Sequence, residues 1–524
     1  MSTSACLLLL ALPSTPATIT IGPDGDYETF ATAIAFIESE DDPDGYVLAV
    51  EAGTWVLDND SRIDVNNLSG GLSIQPASSE STVILDGNST TQPVTAMNVD
   101  LQMSGLTIRN GSGSSGAGIL VSGGSLKLSD VIVEDCVSTS SGGGVYITLA
   151  TSLEVTGCTF QDCTATASTS RHGGGIYCGD ATPATISDSA FSGCHSGDRG
   201  GGVYVYNGTL SNVTFEDCTG RTGGGLYGMS SLHLTDCIFT SCASTANDGG
   251  AIATIYAAEV SLSACTFIGN TTARTGGAVS TGGDGTLDAQ SCHFSSNAAY
   301  SGGGACVCFG TSATFTDCTF SANTAPTGGA LALRQFNLST PSVFSVETCS
   351  FDGNESGENG GAIYFSDWTS GYGGYTATIE QCQFTDNSAL RGGGIYASAS
   401  DPSSVTLDSC TMSSNVSSSS SAYDAINMAG SNISVSITNV TACDHRADRE
   451  IDPDVVDEGG NDTGDWCCPG DVDGDSDINA DDIASLLTSW GTDGDGDDRD
   501  DVDRDGVVVM LDLIEMLRGW GACG

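Results

Sequence analysis

The sequence predicts an all-β body built as a parallel β-helix solenoid, followed by a small α-helical calcium-binding domain. Three observations predict it. An aromatic recurs as Phe160, Phe191, Phe215, Phe239, Phe267, Phe294, Phe320, Phe351 and Phe384, then Met412, a mean step of 28 residues. A glycine pair follows each Phe after eight to thirteen residues, as in "GGGIY" at Gly173, "GGGVY" at Gly200 and "GGAV" at Gly276. Near the C-terminus, aspartates at alternate positions precede Leu and Trp at helical spacing, twice.

The repeats lack the long 3.6-periodic stretches that helical repeats of this length carry. They hold short alternating pieces such as "ATFTDCTF" and "SLHLTDCIF", rich in Thr, Val, Ile and Phe and bounded by Gly, Asn, Ser and Asp. Three pieces joined by turns make one rung, and rungs stacked about 4.8 Å apart turn equivalent positions into ladders. Phe and Cys are expected inside. Asn323 is expected to hydrogen-bond with Asn297 and Asn354 on neighbouring rungs, and Gly to permit the sharp corner that follows.

The chain opens on "CLLLLAL" and "PSTPA", the apolar core and small-residue exit of a signal peptide over residues 1–17, without the usual basic start. It is therefore expected to be secreted, extracellular or at a cell surface. The β-helix is expected over 18–443. With 66 acidic against 14 basic residues in 524, the net charge of −52 repels nucleic acid and favours cations. Hydrophobic residues at 39% argue for a folded body despite that charge. No apolar run is long enough for a transmembrane segment.

Register governs the 21 cysteines. Eight of them, Cys158, Cys237, Cys265, Cys292, Cys318, Cys349, Cys382 and Cys410, stand two residues before Phe or Met. Five more, Cys136, Cys163, Cys194, Cys218 and Cys242, stand where later repeats put Asn. Two residues apart on a strand means one face, so these read as small buried hydrophobes in preference to disulfides. Without a second matching CxxC pair, structural zinc is not expected.

Composition shifts after Cys443. Residues 444–466 are charged, proline-bearing and without apolar period, an acidic linker or a poorly ordered cap. The domain over 467–524 follows. Asp471, Asp473, Asp475, Asp477, Asn479 and Asp482 occupy positions 1, 3, 5, 7, 9 and 12 of a loop, a spacing that wraps hard oxygens around one calcium ion, with position 7 giving its backbone carbonyl. Ile483, Leu486, Leu487 and Trp490 follow at helical spacing. A second copy holds Asp501, Asp503, Asp505, Val507 and Asp512, then Leu513, Leu517 and Trp520, so two calcium ions are expected. Val509 at position 9 makes the second loop the poorer one.

The GGA[ILV] and FxxN signatures resemble the repeats of polymorphic outer-membrane proteins, and 19–443 resembles a right-handed parallel β-helix of the pectin-lyase-like superfamily. "ITIGPDGDYETFATAIAFIE" and "YVLAVEAGTW" are similar to that superfamily's opening, which implies a strand, a short N-terminal capping helix and the first rung. The early repeats depart by replacing the motif Asn with Cys, and no autotransporter barrel follows. Residues 469–521 resemble a dockerin type I module, which implies a cohesin-like partner. Either Cys467 or Cys468 is expected to bridge to Cys523, clasping the ends of the module.

The superfamily's polysaccharide lyases and glycoside hydrolases use basic residues beside carboxylates, or clustered aspartates with Gly-His-Gly and Arg-x-Lys. Neither set is present: Lys127 is the only lysine, and His172, His195, His233, His293 and His445 are scattered. The residual candidates for a site are Arg171, Arg199, Arg221, Arg274 and Arg391, each just before a glycine pair, where a row of guanidinium groups could bind an acidic polysaccharide. The reading preferred over this is that exposed corners of an acidic protein keep a few cations for solubility. The favoured reading is a noncatalytic surface, adhesion or carbohydrate-binding protein assembled through its calcium module. The alternative is a polysaccharide-degrading enzyme recruited to a cohesin scaffold.

Overall fold

Thr29 caps the first helix. In the computed structural model its side chain accepts from Thr32 N, and α1 (Phe30–Glu40) runs on to Asp41, whose φ of 42° ends it. The structure describes residues 15–443 except 168–171, 256–257, 284, 311, 336–340, 368–372 and 421; beyond them it describes 451–461, 477–478, 480–488, 490, 508–518 and 521–522. Among these no helix is long and apolar enough to cross a membrane. The chain divides into two units, Met1–Ala273 and Arg274–Gly524.

In the first unit, α1 buries Phe30, Ala33, Ile34 and Ile37, and Phe30 meets Trp55 edge-on at 5.3 Å. Its C-terminal carboxylates are spent on the first coils: Asn66 N donates to Glu38 and Ser69 N to Asp41, both at 2.8 Å. Strand Ala17–Ile21 pairs in parallel with Tyr46–Val50, and that strand with Leu72–Pro76. From there each coil repeats three parallel strands. The glycine pair opens a long one, such as Ile176–Ser187 or Val203–Ser211. A three-residue strand centred on Phe comes next, such as Ala190–Ser192 or Thr214–Glu216, and a two-residue strand such as His195–Ser196 closes the coil.

In-register pairing converts the repeat into columns. Phe160, Phe191, Phe215, Phe239 and Phe267 stack at 4.6 to 5.1 Å with nearly parallel rings, all fully buried. Strands centred on them pair residue for residue. The glycine pair is required twice over. Gly200 has a φ of 64°, and a Cβ on Gly201 would lie under 3.0 Å from the carbonyls of Gly224 and Thr219.

The second unit repeats the plan. Phe294, Phe320, Phe351 and Phe384 stack at 4.8 to 4.9 Å. Here the expected asparagine ladder forms. Asn297 N and Nδ2 both donate to Asn323 Oδ1 at 3.0 Å, and Asn323 does the same to Asn354 at 3.1 and 3.0 Å. Asn354, Asn387 and Asn415 continue it. The stretch expected as a linker carries structure at 451–461: Val456–Asp457 pairs in parallel with Ile433–Thr438, and Asn461 Oδ1 accepts from Val440 N at 2.8 Å. These residues satisfy part of the last coil's backbone edge.

All sixteen described cysteines with placed side chains are free and buried. Cys467, Cys468 and Cys523, and the bridge expected between them, lie outside the described residues.

Candidate functional site

Alternation on the glycine-pair strands of the first unit turns Val145, Ile176, Val203 and Leu226 into the core and puts Tyr146, Tyr177, Tyr204 and Tyr227 on the outer face. The four tyrosine rings form a second column, stacked at 4.8, 5.1 and 5.5 Å. Corner residues cover it. His172 stacks on Tyr204 at 4.4 Å, and the Arg199 guanidinium lies 5.0 Å over Tyr227. Tyr146 and Tyr177 are half-buried, whereas Tyr204 and Tyr227 are buried. Burial, together with neighbouring phenols and Asp180, pushes the Tyr177 phenol well up, so it stays a neutral donor. His172 Nδ1 is 3.9 Å from Asp198 Oδ2. Ring faces in such a column are spent on one another, so a ligand would meet edges and hydroxyls.

The arginines do not share one register. Arg171 lies outside the described residues. Backbone pairing links His172, Arg199 and Thr222 in one row and Asn359 with Arg391 in another. Arg221 and Arg274 stand one residue before the paired positions Thr222 and Thr275. Arg221 is half-buried, and Arg274 and Arg391 are exposed. The sequence reading missed Arg334. It lies within strand Leu331–Gln335, 9% exposed, between Phe309 at 5.9 Å and Tyr364 at 5.3 Å, and Nη2 donates to Thr327 Oγ1 at 2.6 Å. An arginine at an outward strand position was the only available signal.

The C-terminal module is described in part. Asp471, Asp473, Asp475, Asn479, Asp501, Asp503, Asp505 and Val507 lie outside the described residues. Of Asp477 and Asp512 only the backbone is described: Asp477 pairs with Ala522 in an antiparallel bridge, and Asp512 lies on a helix. Asp482 is fully buried on α2 (Ala480–Thr488). Against α2 packs α3 (Met510–Arg518), through a core of Leu486, Val508 and Met516 with Ile483 and Leu513 partly buried. Ile483 and Leu486 stand one and four residues after Asp482, and Leu513 and Met516 stand one and four after Asp512. The duplication seen in the loops thus extends to the core. Leu487 and Leu517, also equivalent, remain 54% and 49% exposed, and Met510, Leu511 and Ile514 on α3 are exposed too. Asp482, position 12 of the first loop, is thus a buried carboxylate, a kind of group that is tolerated when a cation or hydrogen bonds compensate it.

Stacked coils, internal aromatic and asparagine columns and left-handed corners define a parallel β-helix protein. A family model described as the right-handed β-helix region matches residues 58–246, 174–339 and 257–442, and the chain belongs to that family. Among solved structures, the catalytic domain of a GH87 alpha-1,3-glucanase in complex with nigerose is similar at 10% identity and a TM-score of 0.26, over 86% of this chain and 70% of that one. No curated protein matches.

Proposed function

We propose that the chain is an exported, noncatalytic β-helix that binds carbohydrate at a surface and is assembled through a calcium-dependent dockerin-like module. The full burial of Asp482 carries this reading, since a carboxylate closing an aspartate-rich loop is stabilised there by a cation. Calcium would be held by Asp471, Asp473, Asp475, Asp477, Asn479 and Asp482 in the first loop, and by Asp501, Asp503, Asp505, Val507 and Asp512 in the second. The ions draw each loop around themselves and fix the two helices. The exposed Leu487, Met510, Leu511, Ile514 and Leu517 then offer apolar side chains to a partner domain, for which a cohesin-like fold is the candidate. A pull-down of the full chain on such a domain is expected to succeed in calcium and fail in chelator. Binding that ignores chelator would remove the module from the account.

One observation favours the second reading, a polysaccharide lyase or glycoside hydrolase: His172 and Asp198 lie together beside Arg199 on the outer face. The His172 and Arg199 side chains are nevertheless stacked on tyrosines, which supports a covering role. Release of reducing ends or unsaturated products from pectate, alginate or neutral glucans, lost in His172→Ala, would establish the enzyme.

A further inference from the structure

The third strand of most coils is two residues long, but in the second unit two consecutive coils lengthen it to Thr324–Thr327 and Glu355–Asn359. Their pairing slips between Ala325 and Thr327, so Gly357 and Glu358 together stand opposite Pro326 and the later strand carries one extra residue, a bulge. The bulge is held: Ser356 Oγ contacts the carbonyls of Pro326 at 2.9 Å and Asn359 at 3.0 Å. Between the bulge and the coil before Thr324 lies an open groove of about 750 Å³, lined by Tyr300, Thr324, Pro326, Thr327, Glu355 and Glu358 among others. Tyr300 is 77% exposed, the most exposed large hydrophobic side chain described. Thr327, on the floor, is backed by the Arg334 guanidinium.

We propose that this groove is a binding site for a neutral linear polysaccharide, a finer form of the carbohydrate-binding reading and dependent on it. The volume falls within the range of ligand clefts. One aromatic ring with free faces suits a pyranose, whose C–H face packs on the ring while its hydroxyls point sideways. Glu355 and Glu358 accept hydrogen bonds from those hydroxyls, and Thr324 can donate and accept. Charge selects among glycans. Among the described residues no basic side chain lines the groove, and the chain carries −52, so a uronic acid polymer is repelled where a neutral one is not. A protein partner would need a wider desolvated apolar centre than one tyrosine and one proline supply.

The test titrates the full chain with neutral hexasaccharides of glucose, xylose and mannose, with polygalacturonate, and with a lysine oligomer. At least one neutral hexasaccharide is expected to bind, and Tyr300→Ala to weaken it about tenfold or more. Glu355→Gln with Glu358→Gln is expected to weaken it as well, with an unchanged melting temperature in all variants because these side chains are exposed. Neutral-glycan binding that Tyr300→Ala leaves intact overturns the groove while the carbohydrate-binding reading stands. Binding of the lysine oligomer or polygalacturonate alone overturns the neutral-glycan assignment, and no glycan binding at all overturns both.

Discussion

Cys242 and Asn270 hold the same corner in consecutive coils and make the same bond. Asn270 Nδ2 donates to the Phe239 carbonyl at 3.0 Å, and Cys242 Sγ donates to the Phe215 carbonyl at 3.6 Å. They are also joined, since Cys242 N donates to Asn270 Oδ1 at 3.0 Å. Cys163, Cys194 and Cys218 repeat the thiol version on Val133, Phe160 and Phe191. Cysteine replaces asparagine here as a smaller and weaker donor to the same buried carbonyl.

The two versions differ in strength. Asn323→Ala strips the Phe294 carbonyl of its donor and Asn297 N and Nδ2 of their acceptor, and is expected to cost about 1 to 3 kcal/mol. Cys218→Ala removes one weak donation and is expected to cost less. Urea melts of both variants check this; equal losses would mean that the amide ladder adds nothing over packing.

Glycine positions separate in the same way. Gly201→Ala forces a Cβ against two backbone carbonyls and is expected to destabilise by about 1 to 3 kcal/mol. Gly202→Ala meets the edge of Phe215 and the Gly225 carbonyl less closely, and other coils carry Ala251 or Ala278 in its place. It is expected to be milder, and a melt ranking the two the other way would contradict the reading.

Alkali should loosen the fold. Burial pushes the Cys158 thiol up to about 11, and burial with Asp180 nearby pushes Cys178 to about 12. A raised folded pKa means that the unfolded chain loses the proton first, so stability is full below pH 9 and falls as pH rises toward 11 to 12. The Cys158 contribution is on the order of 2 to 3 kcal/mol. Chemical denaturation at stepped pH measures the slope, and Cys158→Val should flatten it. A slope unchanged in that variant would assign the alkaline loss elsewhere.

Much of the fold was legible because a β-helix repeats its core: Phe, Cys, Asn and the glycine pair recur where a column needs them. Two of the three corners were not. Asp188, Asn212, Asp236 and Asp217 adopt positive φ, and so does Ser241, but short polar residues are common enough in turns that their register drew no notice. The tyrosine column was visible in "GGGIY" yet read only as a turn signature, because alternation places a residue on a face without saying what covers it. The arginines were expected as a row from their position before glycine pairs; a one-residue slip between Arg199 and Arg221 was not deducible from glycine spacing alone. Met516 was passed over beside the more apolar Leu517, although its offset from Asp512 equals that of Leu486 from Asp482.

The central claim is that calcium organises the C-terminal module, and calorimetric titration of the full chain with calcium tests it most directly. Saturable binding of two ions is expected, with a rise in helicity on addition and its loss in chelator. Asp473→Ala should weaken binding more than Asp503→Ala, because the second loop already lacks an oxygen at Val509. A titration without calcium heat, or one that neither substitution alters, would contradict the account.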